Sequence, residues 1–140
     1  MTPDQIALVQ SSFAHVVPIS DTAATLFYTR LFELDPNLRP LFHTDMPSQG
    51  RKLMDMLRVV VSGLNRLDEL VPAVQSLGRR HTTYQVENHH YATVGAALLW
   101  TLRQGLGESF TAEVEDAWKA AYAVLSATMQ AAAAEVVPAA

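Results

Sequence analysis

Apolar residues recur at three- and four-residue spacing through almost the whole chain, and the gaps between these runs fall on prolines and glycines. Ile6, Val9, Phe13 and Val16 form one such stripe, Leu26, Phe27, Leu31 and Leu34 a second, and Leu53, Met56, Leu57, Val60, Val61 and Leu64 a third. A 3.6-residue period puts each set on one side of an α-helix, whereas a half-buried strand needs strict alternation, and no such run competes. The chain therefore reads as all-α.

The punctuation sharpens this reading. Thr2, Pro3 and Gln5 give an N-cap, a proline in the first turn and a capping-box partner, so a helix starts there and Pro18 stops it. A second helix starts at Ser20 or Asp21 and ends before Asp35-Pro36, since the residue before a proline is driven off helical geometry. Leu38, Pro40, Leu41 and Phe42 suggest tight turns, and Asp45, Pro47 and Gly50 an irregular connection, with Ser48 capping the third long helix. Leu70, Val74, Leu77 and His81 make a fourth stripe, with an imidazole at its C-terminal end. Tyr91, Val94, Leu98 and Leu102 carry a fifth helix from about His90 to Leu106, broken between Gly105 and Gly107. Thr111 caps the last helix, with Val114, Trp118, Ala121, Leu125, Thr128, Met129 and Ala132 facing inward until Pro138.

A length of 140 residues fits one domain, expected to run over 1–140, and 49% hydrophobic residues against 17% charged ones supply a compact core. The net charge of -4 and the scatter of ten basic residues offer no footprint for a phosphate backbone, so no nucleic acid is expected. The absence of cysteine excludes disulfides, thiolate zinc, iron–sulfur clusters and thioether-attached haem, leaving His or carboxylates for any metal. The opening Thr2-Pro3-Asp4-Gln5 is unlike a secretory leader, and no apolar run approaches the roughly 18 residues of a membrane span. A soluble, cytoplasmic protein is the expectation.

On spacing alone His81 is open to two readings, a metal ligand or a cation that favours a helix C-terminus. His15, His89 and His90 read as exposed or capping residues, and His43 follows Phe42 at a corner. No H-E-x-x-H, G-x-S-x-G or phosphate-cradling glycine loop is present.

Several separated features coincide: Phe27-Tyr28, Leu41-Phe42, Gln49 with Leu53, Leu77-Gly78-Arg79-Arg80-His81, and His90-Tyr91 followed by Val94-Gly95. In order and spacing they resemble the globin family, in particular bacterial single-domain haemoglobins of the Hell's Gate type and the globin domain of flavohaemoglobins. The likeness runs from the first helix to Trp118 and Tyr122. It implies six to eight helices around a non-covalent haem b, with His81 as the proximal iron ligand and Phe42 wedged against the porphyrin. It further implies Tyr28, Gln49 and Leu53 in the distal pocket, and Leu77, Tyr91 and Val94 among the haem-lining residues. Read without the resemblance, Tyr28 and Leu53 are equally ordinary core residues, and Gln49 an exposed first-turn residue.

The chemistry implied is gas binding. Neutral imidazole leaves the sixth position of a haem iron open, and its second nitrogen can donate to the Leu77 carbonyl one turn back. A hydroxyl at Tyr28 and an amide N–H at Gln49 would favour a polarised bound gas, and glutamine, unlike histidine, does not compete for iron. Arg51, Lys52, Arg79 and Arg80 flank these helices; Lys52 and Arg80 are put forward as partners of the haem propionates. One family feature is missing: the carboxylate expected beside Tyr91 falls, counted from Trp118, on Ala133, and Glu135 lies about 200° further round the helix.

The leading expectation is reversible binding of dioxygen. Nitric oxide dioxygenation with an external reductase is the alternative from the enzyme class; a gas sensor with a separate output partner and a cofactor-free helical module complete the set.

Overall fold

The structure is a computed structural model. It describes residues 1–41, 45–83 and 88–136, with side chains described for 1–40, 45–76 and 90–131. Within these residues the chain forms six α-helices: α1 (Pro3–Val16), α2 (Ser20–Leu34), α3 (Met46–Ser62), α4 (Leu67–Thr83), α5 (Asn88–Leu106) and α6 (Ala112–Val136). Four short 3-10 segments, at Val17–Ile19, Pro36–Leu41, Leu64–Arg66 and Gly107–Ser109, make the corners. No strand occurs among the described residues.

The helix starts follow local chemistry. Thr2 and Gln5 form the expected capping box, and the Val114 backbone N–H donates to the Thr111 hydroxyl at 3.3 Å. The start of α3 differs from the sequence reading: Asp45, not Ser48, is the cap. The Ser48 backbone N–H donates to the Asp45 carboxylate at 3.0 Å and its hydroxyl adds a second bond at 2.9 Å. Those bonds hold the Asp45 carboxyl below the usual range. An ionised carboxylate is the better acceptor at a helix N-terminus, because it also faces the positive end of the helix dipole.

Among the described residues the stripes go inward as their period requires, with one exception. Leu34, the last residue of α2, is 42% exposed, and Leu38 of the following corner takes the buried place at that end. The sequence stripe of α4 also runs through Pro72, which sits inside the helix and removes one backbone hydrogen bond there.

Helix α6 packs against α1 and α4, while α2 packs against α3 and α5. At the α1–α6 contact the indole N–H of Trp118 donates to the Ser12 hydroxyl at 2.9 Å, and Ser12 donates on to the Leu8 carbonyl at 2.7 Å. These buried polar atoms are thus satisfied inside the core. The Gln10 amide reaches the Val61 carbonyl at 3.0 Å, tying α1 to the end of α3. Among the described residues, no helix is long and apolar enough to cross a membrane.

Candidate functional site

Where α2 crosses α3, a Cβ built on Gly50 would lie 2.9 Å from the Ala24 Cβ. Both residues are buried, so the missing side chain lets the two backbones meet. The residue before Gly50 is Gln49, and the close approach carries it to Tyr28. The Tyr28 hydroxyl donates to the Gln49 backbone carbonyl at 3.5 Å, the long end of hydrogen-bond range. The Tyr28 ring is 7% exposed, meets Phe27 edge-on at 5.0 Å and lies 6.1 Å from Phe32. Burial raises its pKa above the ordinary tyrosine value, and a hydrogen bond with the Gln49 side chain offsets part of that rise. The hydroxyl therefore keeps its proton at neutral pH and remains a donor.

Leu53, one turn along α3 from Gln49, is half-buried and packs on the core, whereas neighbouring Lys52 is exposed. Arg51 is exposed as well and donates to the Ser48 hydroxyl at 3.0 Å.

The other candidate residues lie on α4 and α5, both of which pack against α6. His81 belongs to α4, two residues before its end with Leu77 one turn earlier, and α4 packs on α6 rather than following α3 onto α2. The two helices that carry Gln49 and His81 are thus held by different partners. Tyr91 is buried in the first turns of α5, and Val94 packs half-buried on the core. The Tyr122 hydroxyl of α6 donates to the Tyr91 backbone carbonyl. Its ring covers Gly95, where a Cβ would lie 2.8 Å from the ring edge. Burial, and then the neighbouring Tyr91, push the Tyr122 hydroxyl far above the ordinary value, while burial alone raises that of Tyr91.

The structure thus brings Tyr28 and Gln49 together, with Leu53 beside them, and puts Tyr91 and Val94 on α5. Phe42 and His43 lie outside the described residues, as do the side chains of Leu77, Arg80, His81, His89 and Ala133. Helix α6 continues unbroken through Val136, so Glu135 keeps its register two positions after Ala133. One described histidine differs from expectation: His90 is 9% exposed, because it and the neighbouring Tyr91 face into the molecule. In the sequence Tyr122 stands out only as the end of the likeness. Its spacing marks it as a helix-face residue, and its bond to Tyr91 depends on how α5 and α6 cross.

Comparison with known proteins decides the family. The globin family profile matches residues 25–129, three-quarters of the chain. The chain belongs to the globin family. This globin is 32% identical to a flavohemoprotein of Bordetella parapertussis over 129 residues, which is 90% of this chain and 32% of that protein. It is 29% identical to a flavohemoprotein of Vibrio cholerae, covering 90% of this chain and 33% of that one. A neuroglobin of Tetraodon nigroviridis is 33% identical over 118 residues, 74% of each chain. The globin spans about a third of the length of the flavohemoproteins it matches.

It is a haem-binding globin, and the residues it assembles fit that group. At the α2–α3 crossing the buried hydroxyl of Tyr28 meets Gln49, so a hydroxyl and an amide, both able to hydrogen-bond, stand side by side. His81 lies on α4, a helix with a different packing partner.

Proposed function

We propose that this globin, one domain over residues 1–140 working in the cytoplasm, binds dioxygen reversibly on a non-covalent haem b whose iron is held by His81. Haem, when bound, supplies an iron with one open side for a diatomic gas. The observation that supports this best is the Tyr28 hydroxyl, buried and protonated beside Gln49. Its bond to the Gln49 carbonyl lies at the long end of the range, and in this reading the hydroxyl turns to donate to a polarised gas, which favours the ligated state. In this reading the Gln49 amide is the second donor and Leu53 keeps the space dry. Phe42 braces the ring, Leu77 accepts the imidazole N–H, and Tyr91 and Val94 line the haem. Lys52 and Arg80 pair with its propionates.

The test is the dioxygen dissociation rate of Tyr28→Phe. Removing a hydrogen bond that favours the ligated state by about 1 to 2 kcal/mol should speed release roughly 5- to 30-fold. An unchanged rate removes Tyr28 from the role.

The likeness to flavohemoproteins favours a second reading, the oxidation of nitric oxide to nitrate by dioxygen, with one electron per turnover from a separate reductase. Catalytic nitric oxide consumption when a reductase is supplied supports it. Consumption that stops at one equivalent per haem excludes it.

A further inference from the structure

We propose that Ala24 is a positioning residue for gas binding: its methyl group, set against Gly50, is the spacer that fixes how far Tyr28 stands from Gln49, and with it how tightly dioxygen is held. The inference rests on the reading of Tyr28 as a donor to the gas and adds the residue that tunes that donor.

The contact is one that cannot yield. A Cβ on Gly50 would lie 2.9 Å from the Ala24 Cβ, well inside the roughly 3.5 to 4.0 Å at which carbon atoms rest against each other. Both residues are buried, and neither has a flexible side chain that could swing aside. The separation of two packed helices follows the size of the side chains at their contact, and between Ala24 and Gly50 that is one methyl group.

The helices carry this spacing to the pair beside it. Tyr28 follows Ala24 by one turn of α2, and Gln49 directly precedes Gly50 in α3. The Tyr28 ring packs on Phe27 and Phe32 of its own helix, so it moves with α2. Helix α3 is tied near its other end, where the Gln10 amide donates to the Val61 carbonyl at 3.0 Å. A change in size at the contact therefore pivots the start of α3 about a held end, and Gln49 moves with it.

The bond that reads this spacing is sensitive to it. The Tyr28 hydroxyl stands 3.5 Å from the Gln49 carbonyl, whereas an ordinary O–H···O bond spans about 2.7 to 2.8 Å. Without the methyl, α3 settles closer to α2 and that bond shortens toward the ordinary length. The hydroxyl leaves this acceptor to donate to a gas, so a stronger internal bond disfavours the ligated state.

The test moves the methyl. Ala24→Gly in the haem-loaded chain should speed dioxygen release about threefold, a part of the worth of one hydrogen bond. Ultraviolet resonance Raman of the gas-free form, taken as a difference against Tyr28→Phe, should show a stronger hydrogen bond from the Tyr28 hydroxyl. In Ala24→Gly with Gly50→Ala the other helix supplies the methyl, and both the rate and the Tyr28 bands should return toward those of the parent. In the Tyr28→Phe background Ala24→Gly should add no further acceleration, which a merely loosened pocket would do. The proposal alone is overturned if Tyr28→Phe changes the rate while Ala24→Gly does not. It is also overturned by equal acceleration with and without Tyr28, or by no recovery when the methyl is moved to residue 50. An unchanged rate in Tyr28→Phe overturns the donor reading itself and the spacer with it.

Discussion

Two helix crossings in this globin use a missing side chain in opposite ways. At α2–α3, Gly50 lets two backbones touch, since the opposing atom is the Ala24 Cβ. At α5–α6, Gly95 instead makes room for the ring of Tyr122, whose hydroxyl then reaches the Tyr91 carbonyl. In the first case the geometry belongs to the main chain, and it brings the side chains beside it, Tyr28 and Gln49, into contact. In the second, one side chain is itself the connector and holds Tyr91 in place. A main-chain contact thus sits beside a tyrosine with a long hydrogen bond at one crossing, whereas at the other a tyrosine closes the contact itself.

The largest expected effect is at the backbone contact. Gly50→Val should destabilise the fold by about 3 kcal/mol or more, because neither backbone can yield without separating the helices. Thermal unfolding measures it. A smaller lesion at the same place, Gly50→Ala, should be relieved by Ala24→Gly in the double variant, which returns the lost space. Full additivity of the two changes would break the account of that crossing.

Gly95→Ala should cost about 1 to 2 kcal/mol, the strain against the Tyr122 ring less the gain from replacing a helical glycine. With Tyr122→Leu already in place the sign should reverse, because only the gain of up to about 1 kcal/mol is left. A cost that persists in that background would show that the ring is not what Gly95 accommodates.

The smallest effect lies in the alkaline limb of stability. Both Tyr28 and Tyr122 have hydroxyls raised above the ordinary value of 10.0 in the folded chain. The unfolded chain therefore loses those protons first. Their contribution is whole below that value and declines as pH rises through it toward the folded value. Tyr122→Phe should flatten the fall in stability above about pH 10 more than Tyr28→Phe does, because its shift is the larger. Equal slopes in the two variants would erase the contrast between the crossings.

Much of this was legible in the sequence, for physical reasons. Helices depend on local spacing and caps, so α1, α2, α5 and α6 begin at or close to where Thr2, Ser20, His90 and Thr111 indicate. Asp45 was harder to read than Ser48, because both are good caps and Pro47 lies between them. What the pattern could not carry were contacts made by helix crossings. The approach of Gly50 to Ala24, the bond from Tyr122 to Tyr91 and the burial of His90 join residues remote in sequence. The same holds for the site: Tyr28 and Gln49 are each recognisable alone, but only the α2–α3 crossing makes them neighbours.

The central claim is that this globin holds haem iron through His81. Its most direct test is the visible spectrum of the purified chain and of His81→Gly. The account predicts a Soret band in the parent that is lost or strongly altered in the variant and recovered when free imidazole is added to replace the missing ligand. A band that His81→Gly leaves untouched would contradict it.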